Sequence, residues 1–177
     1  MKTKLNQSKL KLAIVSAMLL GTAAITAPAY ALDGSLSVSA SIGTACTIST
    51  TTLAFDAYDA VGDNASADLL ATGGVTSTCS IGSSGHIKMG VGLHADTNSS
   101  NLTPLRRMIA GSDETSFLSY SVFSDSSRSV VWENATGVAY SGTGSAETLT
   151  VYGSVTQAQT SAVVGSYTDT ITVAINY

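Results

Sequence analysis

The chain has 177 residues, which is enough for one domain with a substantial hydrophobic core. It contains 8 lysines and arginines against 12 acidic residues, and only 11% of its residues are charged. This balance excludes a nucleic-acid partner, because phosphate binding needs a basic face.

The first 31 residues have the three parts of a secretory signal peptide. Four lysines precede the apolar stretch 12–25, and the small-residue site Pro28–Ala31 follows it. The apolar stretch is short for a membrane span, and no later stretch is long and apolar enough to cross a bilayer. We predict cleavage after Ala31, export, and no membrane insertion.

The exported part, residues 32–177, is strongly acidic. All four lysines of the signal peptide leave with it, so the formal net charge becomes −8 instead of −4. Arg106 and Arg107 form the only basic pair that remains, and the sequence assigns them no role.

A strictly alternating stretch, Leu32 to Gly43, follows the cleavage site. Successive side chains of an extended strand point to opposite faces, so serines form one row. The other row is apolar and consists of Leu36, Val38, Ala40 and Ile42. Such a strand must lay its apolar row on a core and share its backbone hydrogen bonds. It is either the first strand of its own sandwich or an arm that completes the sheet of another molecule.

The rest of the chain predicts an all-β domain. Serine, threonine, glycine and alanine dominate, and apolar residues recur at a period of two in short runs. The predicted strands of the body are 46–55, 75–81, 86–94, 105–109, 117–123, 130–132, 148–155 and 166–177.

Several of these strands carry more detailed expectations. In 86–94, the inward row is Ile87, Met89, Val91 and Leu93, and two histidines lie on the outward face as ordinary surface residues. Strand 117–123 is apolar on both faces, which indicates an interior strand. We expect Trp132 to be a core residue. Residues 137–145 are rich in glycine and are predicted to be a turn.

The final strand ends on an apolar row that consists of Ile171, Val173, Ile175 and Tyr177. A domain that stops inside a core strand has no following strand to cover its edge, which soluble proteins normally avoid. The alternating stretch at the start of one molecule can therefore pair with the final strand of another. Because the two surfaces differ, the contact is head-to-tail and builds a fibre of identical subunits.

Cys46 and Cys79 are the only cysteines, and both are exported. An even number in an oxidising compartment favours one disulfide, although spacing alone does not prove that the sulfurs meet.

No motif indicates catalysis or a bound ion. The acidic segment 56–64 lacks the spacing of a calcium loop, and 82–86 lacks the spacing of a nucleophile elbow. The fragment 142–145 has neither the lysine nor the helix of a phosphate loop. We predict that the protein is not an enzyme and has no catalytic residue, cofactor or metal site.

One set of short motifs spans nearly the whole exported chain. It comprises Cys46, Leu53–Tyr58, Cys79, Arg107–Met108, Leu118–Asp125, Trp132, Val151–Gly153, Gly165–Val173 and the terminal Tyr177. In their order and cysteine placement, these residues resemble the spore-coat-protein-U-like domain family. With its N-terminal stretch, the chain is most similar to the major rod subunits of Csu-type archaic chaperone-usher pili. It departs from the family at Asp56, where glycine is common, and at Val164, which often is proline.

The resemblance implies an incomplete immunoglobulin-like β-sandwich that lacks its last strand. It divides the chain into a signal peptide at 1–31, a donor-strand extension at 32–44 and a pilin domain at 45–177. A periplasmic chaperone would first lend a strand and grip the carboxylate of Tyr177. At the outer-membrane usher, the next subunit's donor strand would replace it. Minor tip subunits would complete a surface pilus that supports adhesion and biofilm formation, and a Cys46–Cys79 disulfide would join the first two body strands.

The alternative interpretation is a self-complete secreted binding module, such as a lectin-like adhesin. In that case aromatic residues could stack on sugars, and the candidates are Phe55, Tyr58, Trp132 and Tyr140.

Overall fold

A computed structural model describes residues 31–111 and 113–177 of the chain. The predicted signal peptide, apart from Ala31, lies outside the described residues. The chain divides into two units, residues 1–40 and residues 41–177. In the part of the chain that the structure describes, no helix has the length and apolar character to cross a membrane.

The described residues of the second unit, called the body below, form nine strands and one short 3-10 turn, Asp63–Ala65. The strands are β1 Cys46–Thr51, β2 Leu69–Cys79, β3 Ser84–Met89, β4 Arg106–Ala110, β5 Asp113–Phe123, β6 Val138–Ser141, β7 Ala146–Val155, β8 Tyr167–Thr168 and β9 Val173–Asn176.

The strands pair into two sheets of unequal width. The large sheet has the order β1-β2-β7-β5-β4-β8, and the small sheet has the order β6-β3-β9. Every pairing between these strands is antiparallel. Alternate residues of the central strands point inward and are buried, while their neighbours face solvent.

The core lies between the two sheets. Its buried members come from β2, β5 and β7 of the large sheet, from β3 of the small sheet, and from Trp132. They are Val75, Ile87, Met89, Leu118, Tyr120, Val122, Trp132, Val151 and Val155. The Trp132 indole N–H donates to the carbonyl of Ile87 at 2.8 Å, so its polar atom is satisfied inside the core. The prediction that Trp132 is a core residue is confirmed.

The structure confirms the predicted fold class as an all-β, incomplete sandwich. It also confirms that β5 is an interior strand, since β5 lies between β7 and β4. Six strands of one sheet face only three of the other, so part of the inner face of the large sheet has no strand opposite it.

Several predicted strand boundaries are wrong. The first body strand ends at Thr51 and not at Phe55, and residues 130–132 form only one isolated bridge, between Phe123 and Val131. The strand predicted at 86–94 ends at Met89, and Leu93 is 73% exposed. The glycine-rich segment 137–145 contains β6, which the prediction treated as a turn.

Glycines allow two close approaches that shape the body. A Cβ on Gly153 would lie 2.7 Å from Phe55 Cζ, so the absence of a side chain lets the segment after β1 cross the inner face of β7. A Cβ on Gly85 would lie 1.8 Å from the carbonyl oxygen of Asn176, so Gly85 allows the end of β9 to approach β3.

Candidate functional site

An open cleft of about 1140 Å³ lies in the body, between the sheets. All six strands of the large sheet contribute residues to its lining, together with Met89 and Val173 from the small sheet. The large-sheet residues that line it include Leu69, Val75, Met108, Leu118, Tyr120, Val151 and Val155. Core side chains therefore form the wall of the cleft, which is typical of a sandwich whose small sheet lacks a strand.

Strand β9 offers a free edge beside this cleft, since β3 is its only partner among the described strands. Gly90 donates its N–H to the carbonyl of Thr172 at 2.8 Å, and the register continues in phase into β9. Hydrogen-bonded and non-hydrogen-bonded pairs alternate along an antiparallel ladder. Thr172 and Ala174 therefore turn their backbone groups toward β3, while Val173 and Ile175 turn theirs toward the free edge.

The predicted acceptor row is only partly contained in β9. Ile171, Val173 and Ile175 are partly buried and pack against the core cluster, and the first two line the cleft. Ile171 precedes the strand, and Tyr177 follows it with 65% of its surface exposed. Val173 and Ile175 thus turn their side chains toward the core and their backbone groups toward the free edge.

The predicted donor residues belong to the stretch 31–45, which has no helix or strand. Leu36, Val38 and Ile42 are exposed by 89%, 87% and 94%, and Ala40 is exposed as well. Burial of large aliphatic side chains that are this exposed would be energetically favourable. That these residues form a strand in the cleft of another copy stays a prediction.

Asp169 lines the cleft and holds together the segments around it. One of its carboxylate oxygens accepts the N–H groups of Leu93 at 3.0 Å and His94 at 3.2 Å, and His94 Nδ1 lies 3.1 Å from it. The other oxygen accepts the hydroxyl of Tyr120 at 2.6 Å. The Asp169 side chain is 2% exposed, so these bonds form in a largely dry site. His94 is thus a half-buried member of the network around Asp169 and not the plain surface residue that was predicted.

Burial affects the titration of two groups in this region. It raises the pKa of the Tyr120 hydroxyl, and the hydrogen bond to Asp169 raises that pKa further. Burial also lowers the pKa of Arg106, against the opposing effect of Tyr120 and Asp169.

Arg106 is 1% exposed and joins β4 to the small sheet. Its Nε donates to the carbonyl of Gly90 at 2.9 Å, and its Nη2 donates to the carbonyls of Met89 at 3.2 Å and Trp132 at 2.8 Å. Its neighbour Arg107 pairs with Asp96 at 3.1 Å. Both arginines, to which the sequence assigned no role, thus bind other parts of the body.

Sequence reasoning missed this network because its members lie far apart in the chain. Asp169 and Tyr120 are separated by 49 residues, and Asp169 and His94 by 75. The available signal was the position of Asp169 in the motif Gly165–Val173.

Cys46 and Cys79 form a disulfide in the structure, as predicted. The two residues lie directly opposite each other in the register of β1 and β2. The bond therefore joins the first two body strands at the end where the exposed N-terminal stretch enters the body. Among the described residues, no cluster of three or more potential metal ligands occurs.

The aromatic residues considered as sugar-stacking candidates have structural contacts instead. Trp132 is 1% exposed, so it offers no face to a sugar. Phe55 packs edge-on against Tyr120, with 6.3 Å between ring centroids. The Tyr58 hydroxyl donates to the carbonyl of Thr156 at 2.8 Å. Tyr140 has its hydroxyl 3.4 Å from the sulfur of Cys46. These four residues form no common exposed surface for a sugar.

The fold and cleft define a β-sandwich protein that lacks cover over part of its core. Comparison with known proteins identifies the family. The profile of the Spore Coat Protein U domain matches residues 32–174. The chain therefore belongs to the Spore Coat Protein U domain family, which confirms the family-level resemblance.

Two relatives give the extent of the similarity. Protein U of Myxococcus xanthus is 33% identical over 159 residues, which cover 85% of this chain and 88% of that protein. A solved structure of the CsuC–CsuE chaperone–tip adhesion subunit pre-assembly complex, from the archaic chaperone-usher Csu pili of Acinetobacter baumannii, matches with 19% identity and a TM-score of 0.47. That match covers 77% of this chain and 40% of the solved chain.

Proposed function

We propose that this protein is a structural subunit of a cell-surface pilus and that its subunits polymerise by exchange of the N-terminal stretch. In this proposal residues 1–31 direct export and are removed, residues 32–44 are the donor arm, and residues 45–177 form the acceptor body. The cleft of each body takes the donor arm of the next copy, and Leu36, Val38, Ala40 and Ile42 cover its core. The fibre supports adhesion and biofilm formation.

One observation carries the proposal: the same chain has an exposed alternating apolar arm and an uncovered core beside a free strand edge. The arm supplies one apolar row and one set of backbone hydrogen-bonding groups. The cleft lacks an apolar row to cover its core and a strand to pair with its free edge. Strand addition to an exposed sheet edge satisfies the two deficits together.

The partners follow from the sequence resemblance. A periplasmic chaperone protects the cleft before assembly, because an exposed core and a free edge favour aggregation. An outer-membrane usher then exchanges the chaperone for the donor arm of the next subunit. Minor subunits occupy the tip. The fibre itself consists of identical subunits in a head-to-tail order.

The gross energy of this contact is sizeable. Four aliphatic side chains buried at roughly 1 to 3 kcal/mol each, with a backbone ladder, contribute on the order of 5 to 10 kcal/mol before ordering costs.

A charge on the apolar row tests the proposal. We expect the unchanged chain, exported with its chaperone and usher, to give a ladder of multimers on a denaturing gel when samples are not heated. Val38→Asp should abolish the ladder, because it buries an unpaired carboxylate in the core of the acceptor. The matched control is Ser39→Asp, which lies on the opposite row of the same arm and should leave the ladder intact.

Two results would contradict the proposal. One is a chain that stays monomeric under all conditions. The other is an equal effect of Val38→Asp and Ser39→Asp on the ladder, because the apolar row would then have no special role.

A further inference from the structure

The body has two opposite ends, which the strand register defines. At the first, called the root end, Ala45 accepts the N–H of Ser80 at 2.9 Å, just beyond the Cys46–Cys79 pair. β7 begins near this end, with Ala146 opposite Thr78, and runs away from it. The far end holds the loop after β7, which is fixed by bonds such as Gly111 N–H to Ser166 O at 3.0 Å.

Each end exposes aliphatic side chains. At the root end, Ile81 follows Ser80 directly and is 83% exposed. At the far end, Val61, Val163 and Val164 are exposed by 86%, 43% and 100%, and all three line the cleft. Isolated exposed apolar residues are ordinary on protein surfaces. These four are distinguished by their position, at the base of the arm and at the rim of the cleft.

The direction of β9 decides which ends meet in a fibre. β3 begins shortly after Ser80, at the root end. β9 pairs antiparallel with β3, with Val173 opposite Met89 and Asn176 opposite His86. β9 therefore runs from the far end toward the root end. An arm that pairs antiparallel with β9, the slightly more stable arrangement, has its last residue, Ile42, at the far end of the acceptor.

The connection between the arm and its own body is short, so the donor body has to lie next to the acceptor body. Only residues 43–45 lie between Ile42 and the first strand of the donor body, and three residues span at most about 10 Å. The Gly43 carbonyl also lies within hydrogen-bond distance of the Ser80 hydroxyl, at 3.4 Å. The root end of the donor, with Ile81, must therefore lie beside the rim of the acceptor cleft.

We propose a second contact between successive copies, in which Ile81 of one copy packs on the rim formed by Val61, Val163 and Val164 of the next. This inference rests on the proposed function, because it needs the donor arm in the cleft. The contact buries aliphatic surface that each isolated copy leaves in water, and it fixes the angle between successive bodies. The arm provides the connection, and the rim contact provides the orientation.

Cysteine cross-linking tests the contact in the assembled fibre. The full chain carries Ile81→Cys together with Val164→Cys, and it is exported with its chaperone and usher and then oxidised. Both positions are highly exposed, so neither change removes a core contact. The matched control combines Ile81→Cys with Val130→Cys, because Val130 is 56% exposed and does not line the cleft. Chains with one added cysteine complete the set.

The expected result is a ladder that survives boiling without reductant in the Ile81/Val164 pair and collapses when reductant is added. The Val130 pair should lose its ladder on boiling, as the unchanged chain does. If unheated ladders form in all variants but the Ile81/Val164 pair is no better linked than the control, the rim contact is overturned and the polymer stands. If no variant and no unchanged chain gives an unheated ladder, the proposed function itself fails.

Discussion

At the residue scale, Asp169 shows how this fold uses a buried carboxylate. Its oxygens accept two backbone N–H groups from the loop after β3 and the hydroxyl of Tyr120 on β5. Buried charges are tolerated when their hydrogen-bonding capacity is filled. Because Asp169 lies two residues before Ile171, these bonds fix the point from which the chain enters β9. Gly92, with φ of 91°, makes room for the carboxylate.

The raised pKa of Tyr120 gives a prediction about alkaline stability. In the folded state the hydroxyl holds its proton more tightly than in the unfolded state, where the pKa is about 10. The stabilisation is therefore complete below about pH 10 and is lost as the pH rises further, since the unfolded state then binds fewer protons. We expect the free energy of unfolding to fall by up to about 1.4 kcal/mol per pH unit from this group.

Urea unfolding at pH values between about 8 and 11 measures this effect, with Tyr120→Phe as the comparison. The Phe variant should be less stable near neutral pH by roughly 1.5 to 3 kcal/mol, the range for a hydrogen bond to a charged group. Its stability should also decline less steeply above about pH 10. Equal slopes for the two proteins would contradict the assignment. The comparison isolates the contribution of Tyr120, because the two proteins share every other side chain.

At the element scale, β9 is short, yet it has three separate constraints. β3 fixes its register, the core holds its inward side chains, and Gly85 accommodates its end. Its second edge stays free among the described residues. A strand with one fixed edge and one free edge is a suitable template for strand addition.

We expect Gly85→Ala to loosen the end of β9. The added Cβ would lie 1.8 Å from the Asn176 carbonyl oxygen, which is backbone and has to move. Hydrogen exchange should become faster in residues 173–177, with little change in the large sheet. Gly111→Ala is the matched control, because its Cβ would meet only an ordinary contact at 3.9 Å from Ser166. Unchanged exchange in β9 would show that the strand end tolerates the shift.

The period-two pattern predicted most strands of the large sheet, since their inward rows are regular and apolar. It failed where a different interaction decided the structure. Val91 and Leu93 continue the alternation of β3, but Gly90 and Gly92 allow the chain to turn around Asp169, which lies more than 70 residues away. β6 escaped prediction because glycines flank it and its few apolar residues, such as Val138 and Tyr140, make no long run.

The cleft itself was predicted only as an uncovered edge. The final row from Ile171 to Tyr177 predicted that edge, whereas the missing strand was implied only by the family resemblance. The unequal width of the two sheets could not be predicted, because it depends on pairings between residues that are distant in sequence. Phe55 crosses β7 and covers part of the inner face, which the small size of Gly153 allows. This contact also joins residues that are distant in sequence.

At the scale of the whole molecule, the described residues leave apolar surface uncovered both in the arm and in the body. The core of the body reaches an open cleft, and the arm exposes four large aliphatic side chains, Leu32, Leu36, Val38 and Ile42. The proposed strand exchange accounts for both features. The arm and the cleft are complementary in chemistry. If the arm is the donor strand that we propose, the stability of each body depends on an added strand.

This dependence leads to a prediction for a chain whose own arm is disabled. The mature Val38→Asp chain should be monomeric, with an empty cleft. A synthetic peptide of residues 32–43 binds only the folded body, so it should raise the melting temperature by mass action, with about 2.7 kcal/mol of stabilisation when its concentration is 100 times its dissociation constant. Calorimetry over a peptide titration measures the shift. The same peptide with Val38→Asp is the control and should have no effect, because a carboxylate cannot replace a valine against the core. If neither peptide changes the melting temperature while the chain unfolds cooperatively, the body is already complete and the cleft has no need of a strand.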